Sequence, residues 1–185
     1  MSILDIRVLG DPVLRNDTTP VDGITDELRM LAENMFETMY VAKGIGLAAP
    51  QVGRSERIAV VDVDDTPLVI INPEIVTADG KSKAEEGCLS IPDIYGDVER
   101  ASAVHIRALD IDGHPFEVDA EGLLARCFQH EIDHLHGKLF IDYLSVLKRR
   151  AALAKWSKNK DKYPAFLRRL DTESAESSEH PDEEL

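Results

Sequence analysis

Two histidines four residues apart give the sequence its clearest chemical signal. His130 and His134 flank Glu131 in the stretch QHEIDH, and the apolar residues around them recur with helical spacing. Four residues of helix advance about 6 Å and slightly more than one turn, so both imidazoles leave the same face. One divalent ion can then be bound by both rings, with Glu131 facing water. The spacing predicts a metal-assisted hydrolase, and a solvated helix that carries His and Glu is the alternative.

The third ligand is predicted upstream of this helix. After His136 the only histidine is His180, within an acidic tail, and no cysteine follows. Cys88, in the stretch EGCLS, can complete a Cys-His-His set that leaves one coordination position open for water and then substrate. An isolated cysteine is more often a small buried core residue. The preceding Gly87 favours a close approach of the backbone instead.

A third segment, GIGLAAPQ at residues 44–51, follows a predicted helix and precedes a predicted strand. Together with EGCLS and QHEIDHLHG in this order, it resembles the peptide deformylase family, which removes formate from N-formylmethionine on new polypeptide chains. The resemblance extends from Ile6 to about Leu147. It implies an α+β fold in which antiparallel strands pack around a central metal-binding helix.

The resemblance implies that Cys88, His130 and His134 are the metal ligands and that Glu131 is the catalytic acid and base. It implies Fe²⁺ as the ion, one per chain, while Zn²⁺, Ni²⁺ or Co²⁺ can substitute, because a Cys-His-His set suits several first-row ions. Such an ion lowers the pKa of bound water from about 15.7 towards neutrality. Glu131 would accept the proton of that water and return it to the departing amine.

The remaining site residues also follow from the resemblance. The side chain of Gln51 and the backbone N–H of Leu89 would hold the oxyanion, and losing one such donor costs roughly 3–4 kcal/mol. The backbone of Gly46 would contact the bound peptide. The methionine pocket would be lined by Ile45, Leu123 and Cys127. The last two can equally be plain core residues of a helix stripe. Glu86 and Arg100 are candidates for an ion pair near the Cys88 loop.

The rest of the chain predicts a mixed layout. A helix is expected from Thr25 to about Lys43 and Gly44, with apolar residues at helical spacing. Strands are expected at 58–63 and 68–71, and a hairpin is expected from 104–111 and 116–118 across a turn at Asp112 and Gly113. The metal-binding helix should run from about Gly122 to His136.

Composition fits one domain with a substantial core, since 43% of the 185 residues are hydrophobic. No apolar run is long enough to cross a membrane, and the first residues resemble neither a secretory signal nor a transit peptide. We therefore expect a cytoplasmic protein whose partners include neither a membrane nor DNA. Two cysteines, one of them a predicted ligand, leave no basis for a disulfide framework.

Charge divides the chain into three predicted parts: a catalytic domain at 1–147, a basic helical segment at 148–169 and an acidic, disordered tail at 170–185. Residues 148–169 hold nine Lys or Arg and one Asp, and residues 171–185 hold seven acids, within a net charge of −14. The basic segment can dock on ribosomal RNA, where the N-formyl-methionyl substrate emerges. The alternative is a solvated helix neutralised by its own acidic extension.

Two other classes of function stay open on the sequence alone. A metallopeptidase would use the same chemistry on an internal peptide bond. A catalytically silent homologue would bind only a metal or the ribosome, although Glu131 and Gln51 are both retained.

Overall fold

The structure, a computed structural model, describes residues 2–170 of the chain. The helices in this range are α1 (Asp26–Val41), α2 (Gly122–Leu135) and α3 (Val146–Asn159). The strands in this range are β1 (Ile6–Arg7), β2 (Gly46–Ala48), β3 (Ile58–Val63), β4 (Thr66–Asp79), β5 (Ser82–Glu86), β6 (Gly96–Arg100), β7 (Ala103–Leu109), β8 (Pro115–Glu121) and β9 (Leu167–Arg168). Short 3-10 turns connect several of these elements.

Five antiparallel strands form the main sheet, in the order β2-β3-β4-β7-β8. Strand β3 is covered on both faces. Ala59 and Val61 join the hydrophobic cluster that contains α2, whereas Ile58 and Val60 join the cluster that contains α1. Successive side chains of a strand point to opposite faces. A strand that is buried on both faces therefore has apolar residues at consecutive positions of the sequence.

Helix α1 begins where the sequence predicts. The side chain of Thr25 accepts the Leu28 N–H at 3.1 Å, which satisfies one of the free amides of the first turn. The helix ends at Val41, and Lys43 rather than a glycine adopts the left-handed conformation, with φ of 60°. The Gly44 N–H then donates to the Met39 carbonyl at 2.9 Å and fixes the entry into β2.

Helix α2 lies at the centre of the fold, which confirms the predicted α+β arrangement. The main sheet packs on one side of it through residues such as Phe128. On another side, the guanidinium of Arg126 donates to the carbonyls of Ser82 and Val98, at 2.8 and 3.0 Å, in the β5-β6 hairpin. A helix enclosed in this way can carry buried functional groups, because neighbouring elements shield them from water.

The chain after α2 returns across the body. Helix α3 packs on a third hydrophobic cluster, in which Trp156 is buried with Val8 and Phe140. Strand β9 then pairs with β1, with Ile6 opposite Arg168. The three-part division of the chain stays a prediction, and apart from Leu170 the acidic tail lies outside the described residues. Within residues 2–170, no helix has both the length and the apolar character that a membrane span requires.

The β5-β6 hairpin is absent from the sequence predictions for a physical reason. Its inward positions include Glu86 and Arg100, which are buried, while most of its other residues are exposed. A strand that buries charged side chains shows no alternation of apolar and polar residues. By contrast, β3 has the predicted limits, and the predicted strand 68–71 lies within the longer β4.

Candidate metal centre

Two elements bring the predicted ligands together. Helix α2 presents His130 and His134, whose Nε2 atoms lie 3.2 Å apart. The loop after β5 adds Cys88, whose Sγ lies 3.3 Å from the His134 Nε2. All three side chains are buried. Their candidate ligand atoms all lie within 4.8 Å of one another, so the three residues form a candidate metal site.

The chemistry of this donor set fits a divalent ion. Metal–nitrogen bonds of about 2.0–2.1 Å and metal–sulfur bonds of about 2.3 Å in a tetrahedron separate neighbouring ligand atoms by roughly 3.3–3.6 Å. The Nε2–Nε2 and Sγ–Nε2 distances are close to that range. Burial, followed by the nearby His130, lowers the pKa of His134 well below its usual value. A neutral imidazole is the form that binds metals.

A buried glutamate orients one of the two rings. The Nδ1 of His130 lies 3.1 Å from Glu86 Oε2, so Nδ1 donates to the carboxylate and the Nε2 lone pair faces the site. Burial alone would raise the pKa of Glu86, but hydrogen bonds from His130 and Arg100 outweigh it and lower that pKa to about 2. Glu86 is therefore ionised at neutral pH beside the candidate metal centre.

Two arginines neutralise this anion. Arg100 donates to both carboxylate oxygens of Glu86 at 2.5 and 2.9 Å, which is the ion pair expected from the sequence. Arg126 donates to Glu86 Oε1 at 2.7 Å. A third bond from Arg100 reaches Asp133 at 2.8 Å, and the Tyr143 hydroxyl donates to the same Asp133 oxygen at 2.7 Å. Buried charges are stable when they are paired and hydrogen-bonded in this way.

The environment of Glu131 is the opposite of that of Glu86. Its carboxyl group is fully buried, and neither oxygen has a hydrogen-bond partner among the described residues. Burial raises the pKa of Glu131 well above its usual value. Gly46 packs directly against it, because a Cβ added to Gly46 would overlap the Glu131 carboxylate and lie 3.0 Å from the sulfur of Cys127. A buried carboxyl with a raised proton affinity is suited to acid and base chemistry.

The predicted oxyanion donors belong to neighbouring segments. Gln51 lies on a buried 3-10 turn, and its Oε1 accepts the Ala48 N–H at 2.8 Å. Its Nε2 donates to the Ser90 hydroxyl at 3.2 Å and lies 3.7 Å from the sulfur of Cys88. Leu89 follows Cys88 directly in the same loop. The structure thus places the Gln51 amide group next to Cys88, the predicted metal ligand, and the Ala48 backbone N–H fixes the orientation of that amide group.

A family model described as polypeptide deformylase matches residues 3–150 of this chain. The chain belongs to the polypeptide deformylase family. A peptide deformylase from Alkalilimnicola ehrlichii is 55% identical over 162 residues, which cover 85% of this chain and 91% of the relative. One from Acinetobacter baumannii is 51% identical over 162 residues, with 85% and 92% covered.

Solved deformylase structures share the fold. The crystal structure of the Legionella pneumophila enzyme superimposes with a TM-score of 0.84 at 49% identity, covering 87% of this chain and 97% of that one. A Synechococcus elongatus deformylase in complex with actinonin gives a TM-score of 0.79 at 50% identity, with 82% and 85% covered. Polypeptide deformylases are enzymes that remove the N-formyl group from nascent polypeptides, so the family decides against a peptidase and a silent homologue.

The residues predicted to contact peptide in this deformylase differ in exposure. Cys127 is fully buried and its thiol donates to the Ile45 carbonyl at 3.6 Å. Leu123 is 42% exposed and lines a surface cavity of about 430 Å³ together with Ile45. Gly46 lies between the buried sulfur and Glu131. The apolar stripe of α2 therefore runs from the protein surface towards Glu131.

Sequence reasoning did not find the role of Arg126 in this deformylase. The available signal was its spacing, because Arg126 precedes His130 by one helical turn and so shares its face. Other described histidines lie beside carboxylates: His105 lies 2.7 Å from Asp119, and His136 lies 2.8 Å from Asp17. A third, His114, is largely exposed.

Proposed function

We propose that this chain hydrolyses the formyl–nitrogen bond of N-formyl-methionyl polypeptides with Glu131 as acid and base. One observation carries the assignment. A fully buried carboxyl group, which has no hydrogen-bond partner within residues 2–170, lies on the helix turn that presents His130 and His134, beside Gly46. A structural carboxyl group in that position would cost stability without gain.

The raised proton affinity of Glu131 supports both halves of the reaction. Its carboxylate takes a proton from the attacking water, whose oxygen bonds to the formyl carbon. The same proton then passes to the amine nitrogen as the carbon–nitrogen bond breaks. Formate and a free amino terminus result, so atoms balance with water as the only co-reactant. Positioned proton transfer of this kind contributes about 10²–10⁴-fold to a rate.

The Gln51 amide and the Leu89 N–H are the proposed donors to the oxyanion. The Ala48 N–H holds Gln51 Oε1, so the Nε2 group, which donates to the Ser90 hydroxyl and lies 3.7 Å from the Cys88 sulfur, faces the proposed site. Gly46 is proposed to contact the peptide backbone. Ile45, Leu123 and Cys127 are proposed to receive the methionine side chain. The change from exposed Leu123 to buried Cys127 along α2 supports an apolar pocket that ends near Glu131.

Cys88, His130 and His134 are proposed to hold one divalent ion, with Fe²⁺ as the native metal and Zn²⁺, Ni²⁺ or Co²⁺ as substitutes. When bound, such an ion supplies Lewis acidity, which makes water a nucleophile at neutral pH. The single thiolate and two imidazoles suit these first-row ions. Metal analysis of protein purified without oxygen, followed by reconstitution with each ion, tests the assignment. Zinc at full occupancy with full activity would contradict iron.

Formate release from a formyl-Met tripeptide tests the proposed reaction. The wild-type protein, loaded with Fe²⁺ without oxygen, is compared with Glu131→Gln and with the acetyl-Met tripeptide. We expect formate from the formyl substrate alone and a loss of at least about 10²-fold in the variant at equal metal content. Asp119→Asn is a matched control at an exposed carboxylate on β8. Equal activity of wild type and Glu131→Gln would refute the role of Glu131.

We also propose that the basic segment contacts the ribosome in the cytoplasm, where nascent formylated chains appear. In the segment 148–169, Lys148 and Arg149 pair with Asp97 and Asp142 of the body. Other cations are exposed: Arg150, Lys158, Lys160 and Lys162. This exposed charge supports docking on RNA phosphates. The proposed division at residues 147 and 169 follows this change of charge.

Charge reversal tests ribosome contact better than truncation, because truncation would also remove the buried Trp156. A variant with Arg150, Lys158 and Lys162 replaced by Glu should bind ribosomes more weakly, with a flatter dependence on salt. A matched triple replacement of the exposed Lys81, Lys83 and Lys138 by Glu makes the same change of net charge outside the segment. Unchanged ribosome binding and salt dependence in the first variant would refute the contact.

A further inference from the structure

The loop from Cys88 to Ile91 is held from outside at two points. It contains one proposed metal ligand and one proposed oxyanion donor, so its backbone position matters for the reaction. Three successive carbonyls each accept a different donor. The Ile91 N–H donates to Cys88 at 2.8 Å, Arg168 Nη1 donates to Leu89 at 3.1 Å, and the Leu9 N–H donates to Ser90 at 2.9 Å.

Arg168 reaches this loop because the end of the described chain folds back on its beginning. We name residues 163–168 the C-terminal clasp. Ala165 and Phe166 adopt left-handed conformations, with φ of 55° and 57°, and reverse the chain after α3. Strand β9 then pairs with β1, and the Val8 N–H donates to the Phe166 carbonyl at 2.9 Å. The clasp is therefore part of the folded body.

Side chains fix the same junction. The Trp156 indole N–H donates to the Leu9 carbonyl at 3.0 Å, and its ring stacks on Tyr163 with centroids 5.6 Å apart. Gly10 has φ of 114°, and a Cβ there would overlap the Phe166 ring. These contacts tie the clasp to residues 8–10, whose own backbone holds the Cys88 loop through Leu9. Arg168 thus approaches Leu89 from a fixed strand.

We propose that Arg168 is a positioning residue for deformylation, which acts by holding the Leu89 carbonyl. This rests on the proposed role of the Leu89 N–H as an oxyanion donor. The Leu89 N–H shares a peptide plane with the Cys88 carbonyl, which the Ile91 N–H holds, and the Leu89 carbonyl lies in the next plane, which Arg168 holds. Both planes that meet at the Leu89 Cα are therefore fixed only when Arg168 is present. A hydrogen bond from a charged guanidinium is stronger than one between neutral groups.

The expected kinetic effect is intermediate. Removal of an oxyanion donor costs about 10²–10³-fold in kcat. Arg168 only orients such a donor, so its removal should lower kcat by about 5–30-fold, because small displacements in a site already reduce rates strongly. KM should change little, because the guanidinium contacts the protein backbone rather than the peptide. The metal content should also stay at one ion per chain.

Arg168→Met in the full chain is the decisive variant, because methionine keeps an unbranched stem and lacks the donor. Arg169→Met, at the exposed neighbouring position, is the matched control. Arg168→Lys retains the charge and should recover part of the lost kcat. For each protein, kcat and KM for a formyl-Met tripeptide are measured per bound metal ion, with the melting temperature recorded alongside.

A lower kcat in Arg168→Met, with unchanged KM and partial recovery in Arg168→Lys, supports the proposal. A kcat within twofold of wild type refutes it, even if the melting temperature falls, because the contact is then only structural. If Arg168→Met does not fold, the kcat of Arg168→Lys is compared with that of wild type instead, and a value within twofold refutes the proposal. Absence of formate from the wild type would instead refute the proposed function, so the two failures are distinguishable.

Discussion

Two glutamates near the candidate metal centre are equally buried and have opposite surroundings. Glu86 is 1% exposed and is bonded by Arg100, Arg126 and His130. Glu131 is 0% exposed and has no hydrogen-bond partner among the described residues. The pKa of the first is lowered to about 2, whereas that of the second is raised well above its ordinary value. Partners rather than depth of burial decide the proton affinity.

The two environments suit two different roles. A carboxylate that must orient a histidine has to remain charged at every working pH, and two arginines ensure this for Glu86. A carboxyl group that must exchange a proton cannot be saturated with donors, because each donor would stabilise the charged form. We infer that Glu86 is structural and Glu131 is chemical, and each of the following variants tests that distinction.

Glu131→Gln should give the largest effect on activity and almost none on stability. The amide cannot accept a proton, so kcat should fall by about 10²–10⁴-fold. The carboxyl group has no hydrogen-bond partner in the described part of the chain, so the free energy of unfolding should stay within about 1 kcal/mol. Formate release and urea denaturation measure the two quantities. A large loss of stability would show that Glu131 is structural as well.

Glu86→Gln should reverse that pattern. Two buried guanidinium groups would lose their shared anion, which typically costs about 3–5 kcal/mol of unfolding free energy. Metal affinity should weaken by about 10–100-fold, because the His130 ring would lose its charged acceptor. Chemical denaturation and metal competition measure these changes. Glu85→Gln, at the exposed neighbouring position, is the control. A loss below about 1 kcal/mol would remove the distinction between the two glutamates.

Lowering the pH should destabilise the folded protein through protonation of Glu86. Its folded pKa of about 2 lies below the ordinary value of 4.5, so its contribution to stability is complete above pH 4.5 and is lost as pH falls towards 2. A shift of this size corresponds to about 3 kcal/mol. The free energy of unfolding, measured by urea denaturation, should therefore fall more steeply between pH 5 and pH 3 in wild type than in Glu86→Gln. Parallel pH profiles would contradict the assignment.

Gly46→Ala should give the smallest effect and tests the space around Glu131. The added methyl group would overlap the carboxylate and approach the Cys127 sulfur. Overpacking of this kind costs about 1–3 kcal/mol. We expect a comparable loss in stability, measured by thermal unfolding, together with a lower kcat. Gly23→Ala, where an added Cβ meets nothing within 4 Å, is the control. Equal stability and equal kcat in the two variants would show that the Glu131 side chain can move away from the added methyl group.

The main elements could be predicted from local patterns. Helical spacing predicts α1 and α2, and β3 has the predicted limits because both of its faces are apolar. The β5-β6 hairpin could not be predicted in this way, because its buried positions include Glu86 and Arg100. Besides each other, these two residues bind Arg126, His130 and Asp133 of α2, at a distance in the chain that no periodicity reveals. The same holds for β9, a two-residue strand whose only pairing partner lies at the opposite end of the described chain.

The sequence by itself determined the ligand types, because the i,i+4 spacing of His130 and His134 forces their rings onto one helix face whatever surrounds them. Only the tertiary structure decided which buried glutamate has a lowered pKa and which has a raised pKa. It also decided that Arg126 joins Glu86 and that Arg168 holds the Leu89 carbonyl. The physical reason is that proton affinity and backbone position depend on neighbours brought together by long-range folding, which residue type and spacing do not encode.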